Sequence, residues 1–261
     1  MMIDRTARPV VVTRPRAQAE PLARRVAALG REAVVFPLLD IHPLPDPQPL
    51  REALRDLSRY ALVAFVSPNA IDAAFAVLPG WPREAAIGVM GEGSRAALAR
   101  HGVNDANARI FSPRDPSRTD SATLLQALDL AALRGRRALI VRGESGRELL
   151  AEALRDAGVA VEQVAAYRRI APVLDAGARA RLLALLERQA DWIITSSEAL
   201  RVLLQMVREV GGDAGVVKMQ QQCIIVPHAR IEETARQLGF INRIQTGSGD
   251  EHVLAALQSR P

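Results

Sequence analysis

Six short stretches of this sequence combine hydroxyls, glycines, amides and arginines in a pattern suited to holding anions. They are Thr13-Arg14-Pro15, Ser67-Pro68-Asn69, Gly91-Glu92-Gly93-Ser94, Arg142-Gly143 with Gly146-Arg147, Thr195-Ser196-Ser197 and Pro227-His228-Ala229. At a helix start, Ser, Thr and Asn side chains accept from unpaired N–H groups, and the start itself carries a partial positive charge that favours carboxylates and phosphates. Each exposed contact contributes about 0.3–1 kcal/mol, so one anion gains little and a ligand carrying many gains much. Arg14, Arg142 and Arg147 add bidentate donors for carboxylates. Ser, Thr and Asn also serve as plain helix caps whatever the function, and for any one of them that reading stays open.

Other chemistries find less to work with. His42, His101, His228 and His252 show no zinc-site spacing. The lone Cys223 can form no internal disulfide and no metal cage, so it reads as a core or loop-edge thiol. No metal is expected. Gly91-x-Gly93-x-x-Ala96 follows an apolar run, but the acidic residue that a dinucleotide site needs about 20 positions on is not found. There is no phosphate-binding Walker loop and no serine nucleophile elbow. Composition narrows the class further. With 49% hydrophobic and 24% charged residues in 261, the chain reads as a soluble globular protein. Its longest charge-free run, Tyr60 to Ile71, falls short of the roughly 20 apolar residues of a membrane span. The amino terminus mixes Asp4, Arg5, Arg8 and Arg14 without the apolar core of a signal peptide, which makes the cytoplasm the expected compartment. A net charge of +5 favours acidic partners broadly. Aromatics at 3% leave little for base stacking, so nucleic acid is not an expected partner.

The elements that must position these residues are written twice. Val10 to Ile41 matches Ala138 to Ile170 with Arg14 falling on Arg142, a shift of 128. Each copy reads strand, helix, strand, with helix stripes Leu22, Val26, Leu29 and Leu150, Leu154, Ala157, and with Gly30 or Gly158 as helix stop. The segment from Ala61 matches that from Ala190, placing Ser67 on Ser196 at a shift of 129. Ile41-His42-Pro43 and Ile170-Ala171-Pro172 agree at the same shift. The next pair ends at Gly102 and Gly239, a shift of 137, and the extra residues fall in the Gly- and Gln-rich stretch Gly211 to Gln222, expected as a mobile surface loop. Strands at Ala108–Phe111 and Asn242–Gln245 precede helices at Ser121–Leu128 and Asp250–Leu257. Short apolar strands alternating with helices predict an α/β protein of two doubly wound parallel-sheet domains of similar build, and in such sheets ligands sit outside the carboxyl ends of the strands. The six stretches above are those ends.

Taken in order, T-R-P at Thr13, S-P-N-A at Ser67, V-x-G-x-x-S at Val89, R-G at Arg142, Tyr167-Arg168-Arg169 and T-S-S at Thr195 make the chain resemble the uroporphyrinogen-III synthase family over nearly its whole length. The resemblance implies cyclisation of the linear tetrapyrrole hydroxymethylbilane, with inversion of ring D and loss of water, and without a cofactor. That substrate carries four acetate and four propionate side chains, a polycarboxylate of the kind the hydroxyl- and amide-rich ends would hold. The pyrrole nitrogens supply most of the push, so controlling the fold of the substrate is the main task.

By residue, the resemblance makes Tyr167 the group whose phenol hydrogen-bonds the departing hydroxyl. It makes Ser67, Asn69, Ser94, Thr195, Ser196 and Ser197 substrate-side residues, with Ser94 where a Thr is more usual; Thr13, Arg14, Gly91, Arg142 and Arg147, expected at the substrate from their places at the strand ends, complete the set. Pro227-His228-Ala229-Arg230 departs from the family pattern, a hydroxyl-bearing turn; His228 joins the set as a carboxylate donor that works best at mildly acidic pH. The family also crosses over after each first strand-helix-strand. It thereby implies one discontinuous domain of residues 1–40 and 171–261, a second of 44–168, and a two-segment linker near 41–43 and 168–172. A monomer without a membrane partner is expected. A two-lobed cytosolic anion-binding or sensor module without catalysis is the alternative.

Overall fold

The computed structural model describes residues 8–78, 80–82, 85–115 and 120–259. The first stretch of chain forms strand β1 (Val10–Val12), helix α1 (Arg16–Ala28) and strand β2 (Ala33–Val35). The middle forms β3 (Asp40–Pro43), α2 (Gln48–Arg55), β4 (Leu62–Phe65), α3 (Pro68–Phe75), β5 (Ala86–Val89), α4 (Glu92–Arg100) and β6 (Ile110–Phe111). It continues with α5 (Ser121–Ala127), α6 (Leu130–Leu133), β7 (Arg137–Gly143), α7 (Leu149–Asp156) and β8 (Ala160–Ile170). The last stretch forms α8 (Ala176–Glu187), β9 (Asp191–Ile193), α9 (Ser197–Gln221), β10 (Cys223–Val226), α10 (Ala229–Gln237), β11 (Asn242–Gln245) and α11 (Asp250–Gln258). These elements group into two compact units, Met1–Asp40 with Ile170–Pro261, and Ile41–Arg169.

In the first unit five parallel strands run in the order β11-β10-β9-β1-β2. Alternation along each strand divides its apolar residues between two layers. Val11, Trp192, Ile194, Ile224 and Val226 pack under α8, α9 and α10, while Val10, Val12, Ile193, Cys223 and Ile225 pack under α1 and α11. Both faces are covered, which is why the inner strands β1 and β10 read as unbroken apolar runs, whereas the edge strand β11 is largely polar. Cys223 is a buried core thiol.

The second unit has six strands in the order β3-β8-β7-β4-β5-β6, with every pairing from β8 to β6 parallel. Val63, Phe65, Ile87, Val89, Leu139 and Val141 pack under α2, α3 and α4. Leu62, Ala64, Ala86, Ala138 and Ile140 pack under α5 and α7. Setting β3 aside, this order is that of the first unit with β8, β7, β4, β5 and β6 in the places of β2, β1, β9, β10 and β11. The helix stops repeat as well: Gly30 and Gly158 sit at φ 81° and 80°, the left-handed conformation that glycine adopts without steric cost.

Two expectations need correction. Residues 41–43 and 168–170, read as parts of a linker, belong to strands β3 and β8, which neighbour one another in the second sheet. The stretch Gly211 to Gln222, read as a mobile loop, is helical almost to its end. Helix α9 breaks only at Gly212 (φ 58°, ψ −157°). Beyond the break its second arm brings Gly215 against the Val207 carbonyl and sends Val216 and Met219 into the core. Glycine content suggested a loop, but two apolar residues three apart are one buried helical stripe, and their burial decided the local structure.

Candidate active site

Ligands of open parallel sheets bind where the chain order reverses. In the first sheet that point lies between β1 and β9, whose carboxyl ends lead into Thr13-Arg14 and Thr195-Ser196-Ser197. In the second it lies between β7 and β4, which lead into Arg142-Gly143 and Ser67-Pro68-Asn69. Four of the six candidate stretches therefore flank the two reversal points, one pair in each unit.

In the second unit Ser67 is the N-cap of α3, its Oγ accepting from the Ala70 amide at 3.2 Å, with Pro68 pre-set for the first helical turn. The same Oγ lies 3.0 Å from the phenol oxygen of Tyr167. Tyr167 reaches it because the β7–β8 register slips by one residue: Arg142 pairs with Ala165, yet Gly143 pairs with Tyr167. In a regular strand Ala166 and Tyr167 would face opposite sides. The bulge turns both into the layer shared with α3, the way such irregularities re-aim a side chain beside a site. Tyr167 is 3% exposed. Gly143 makes room for the ring: a Cβ there would lie 3.1 Å from Tyr167 Cζ and 3.3 Å from its hydroxyl.

Beside this pair, Arg142 is almost buried and donates to Glu148 and, at 2.6 Å, to Gln163 Oε1. Gln163 also donates to Glu148 at 2.6 Å. That bond and the Arg142 guanidinium hold the Glu148 carboxyl below its usual range. Arg142, expected as an open carboxylate donor, is thus tied into the wall of its loop, while Arg147 on the same loop is exposed. Arg169 closes the loop from the other side, donating to the carbonyl and hydroxyl of Ser145 at 3.0 Å each. Asn69 opens α3 half-buried, and Gly91 is the N-cap of α4. Ser94 lies inside that helix and is buried.

The first unit repeats the cap. Ser196 is the N-cap of α9, its Oγ accepting from the Ala199 amide at 3.0 Å, and Thr195 precedes it half-buried. Thr13, by contrast, is buried and donates to the Ile193 carbonyl at 2.7 Å, fastening β1 to β9. Ser197 is buried against Thr234 at 2.9 Å and receives the Arg230 guanidinium at 3.2 Å. Arg14 is paired with Asp250 at 2.6 Å. These three were expected at the substrate. Their polar groups are engaged within their own unit, because a hydroxyl or guanidinium just past a buried strand must satisfy itself there when water is excluded. His228 is the N-cap residue of α10, its Nδ1 3.4 Å from Ser248 Oγ.

Gly143, named in the sequence only as part of a strand-end stretch, gains a role from its place against the Tyr167 ring. The Arg-Gly pair was visible, but only the arginine carried evident chemistry. A concavity of about 610 Å³ in the first unit, bounded by Arg201, Arg208, Gln220 and Gly239, adjoins the residues that precede β10 and β11. It therefore lies at the amino ends of those strands, away from the hydroxyl-bearing ends.

Residues 20–251 match the family model described as uroporphyrinogen-III synthase HemD. The chain belongs to the uroporphyrinogen-III synthase family. Uroporphyrinogen-III synthases of Salmonella typhimurium (strain LT2) and Escherichia coli (strain K12) are 31% and 30% identical over 257 and 254 residues. Each alignment covers 95% of this chain and 99% of the relative. A solved uroporphyrinogen-III synthetase of Helicobacter pylori 26695 superposes with a TM-score of 0.61 at 15% identity, covering 97% of this chain and all of that one. A uroporphyrinogen III synthase of the extremely thermophilic bacterium Thermus thermophilus does so at 0.59 and 17%, covering 97% and 98%. At those identities the two structures establish the shared two-domain α/β fold. As a uroporphyrinogen-III synthase family member the chain is an enzyme of porphyrin and haem biosynthesis acting on a tetrapyrrole, and the non-catalytic sensor reading is left without support. Among the described residues no helix is long and apolar enough to cross a membrane.

Proposed function

We propose that this protein is a cyclising hydro-lyase that converts hydroxymethylbilane into uroporphyrinogen III and water, inverting ring D. The observation that carries the reading is the family match over residues 20–251, and the hydroxyl-bearing loops at the reversal point of each sheet give it a physical basis. A flexible polycarboxylate held at many weak amide, hydroxyl and guanidinium contacts is fixed in shape, and shape decides which pyrrole carbon attacks. Within those loops Asn69, Arg147, Thr195, Ser196 and His228 meet substrate carboxylates or pyrrole rings. Thr13, Arg14, Arg142 and Ser197 hold the loops that do so. The Ser67–Tyr167 hydroxyl pair assists departure of the ring-A hydroxyl. No cofactor enters, because the pyrrole nitrogens supply the electrons that expel the leaving group. We further place the enzyme in the cytoplasm as a monomer; a single buried cysteine is the usage expected of a reducing compartment.

The test is to mix the protein with hydroxymethylbilane, oxidise the products and separate the isomers. The type III isomer is expected in excess over the type I isomer that forms unassisted. A product mixture that matches the enzyme-free control would reject the reading. Sedimentation at micromolar concentration checks the monomer.

A further inference from the structure

We propose that the hydroxyl meeting the departing group belongs to Ser67, and that Tyr167 is a positioning residue acting through it. This rests on the function proposed above and assigns the roles within the hydroxyl pair. Three observations carry it: the 3.0 Å contact between Ser67 Oγ and the Tyr167 phenol, the burial of Tyr167 beside a half-buried Ser67, and the count of hydrogen-bond partners.

That count fixes the direction of the shared bond. A phenol has one hydrogen to donate, and a serine hydroxyl has one hydrogen and two lone pairs. Ser67 Oγ already accepts from the Ala70 amide. Among the described residues, Ser67 is the phenol's partner in hydrogen bonding. If Ser67 donated to Tyr167, the hydrogen of a phenol whose residue is only 3% exposed would be left without a protein acceptor, and an unmet buried donor costs about 1–3 kcal/mol. If Tyr167 donates to Ser67, both lone pairs of Oγ are filled from inside the protein, and the Ser67 hydrogen alone is left for a ligand. The second arrangement satisfies every buried group.

The bulge that turns Tyr167 toward α3 and the bare Gly143 against its ring hold the phenol at that oxygen. In the reaction the ring-A carbon–oxygen bond breaks and its electron pair leaves with oxygen, replaced by electrons from the ring-A pyrrole nitrogen. The leaving oxygen takes the Ser67 proton and becomes water, while the Tyr167 phenol keeps its hydrogen and donates it as a hydrogen bond to the charge that builds on Oγ. Carbon–carbon bond formation and rearrangement at ring D release one proton, which returns to Ser67 Oγ and restores the pair.

The experiment is a double-mutant cycle on the full-length enzyme, reading kcat, KM and the type III fraction with hydroxymethylbilane. Ser67→Ala is expected to lower kcat by up to about 10²-fold, the lower bound for a general acid with a leaving group already activated. Tyr167→Phe is expected to lower it about 3- to 10-fold with KM unchanged, the worth of one hydrogen bond. In the Ser67→Ala background, Tyr167→Phe should then change nothing. Because Ser67→Ala also removes a helix cap, Ser67→Asn supplies a capping oxygen without the hydroxyl. It should lose activity like Ala, whereas Ser67→Thr should recover most of it. A Tyr167→Phe loss larger than that of Ser67→Ala, losses that multiply in the double variant, or full activity in either single variant would overturn the assignment while wild-type formation of type III isomer stood. A wild type that forms no type III isomer would instead remove the function on which the assignment rests.

Discussion

At the scale of the residue, the site is governed by what each polar group has already engaged. Ser67 and Ser196 occupy equivalent caps, but only Ser67 has a phenol behind it. The position matching Tyr167 at the repeat shift of 128 is Leu39, a buried aliphatic side chain. Two copies of one strand-end plan therefore carry a single serine–phenol hydroxyl pair. Gly143 bears on that pair because its bare Cα leaves room for the ring. In Gly143→Ala the new methyl would lie 3.1 Å from a ring carbon of Tyr167, so the ring would have to give by a few tenths of an ångström, straining its 3.0 Å contact with Ser67. Activity should fall by about the factor that losing the Ser67–Tyr167 bond costs, roughly 3- to 10-fold. Stability should fall by roughly 1–3 kcal/mol from overpacking, measured by urea unfolding beside steady-state kinetics; unchanged kcat would show that the ring's seat does not matter. The caps were legible because Ser-Pro-Asn and Thr-Ser-Ser at strand ends allow little else. The direction of Tyr167 was not, since it depends on a register slip between two strands that no local pattern records.

At the scale of the element, strands behave as their apolar runs predict, and departures occur where tertiary packing overrides composition. The second arm of α9 is the clearest case. Gly211, Gly212 and Gly215 suggest a loop, yet Val216 and Met219 complete the core over Leu203 and Val207. The opposite end of the second sheet carries a polar cluster with no part in the site. Tyr60, just before β4, donates to Glu162 Oε2 of β8 at 2.7 Å, and Arg59 stacks over its ring and bonds its hydroxyl. Burial, then the hydrogen bond to Glu162, push the Tyr60 phenol up to about 12 from its ordinary 10. The folded state thus favours the neutral phenol. Its contribution to stability is fully present below pH 10 and is lost as pH rises from 10 toward about 12. Denaturant titrations across that window should show wild-type stability falling more steeply than that of Tyr60→Phe. Parallel curves would mean that this phenol titrates alike in the folded and unfolded chain.

At the scale of the whole molecule, the two-fold repetition could be read from the sequence because Arg14, Gly30 and Ser67 reappear near constant shifts. How the copies are shared between units does not follow from the repeats, because both a sequential cut and a crossed one use the same elements; the expectation of a crossed division comes from the family resemblance. The crossed arrangement makes the second unit continuous, Ile41–Arg169, and the first discontinuous. Residues 41–169 expressed alone should therefore fold cooperatively, with both core layers complete, as judged by a single thermal transition and dispersed amide resonances. A molten chain with far-ultraviolet signal but no cooperative melt would mean that the unit depends on its partner.

Strand β1, wholly buried, is followed closely in the chain by β2 on one edge, but its other edge waits for β9; Thr13 and the Ile193 carbonyl it grips are 180 positions apart. Until those later residues leave the ribosome, three valines present an open ladder to any neighbouring nascent chain. The placement of β3 beside β8 eases this exposure. Once the middle of the chain has folded, the strand by which it enters that unit and the strand by which it leaves stand side by side. The two segments of the first unit, up to Asp40 and from Ile170 on, then start from neighbouring points, so the effective loop to be closed is shorter and its entropic cost smaller. The inserted unit serves as the clasp that lets the interrupted one assemble.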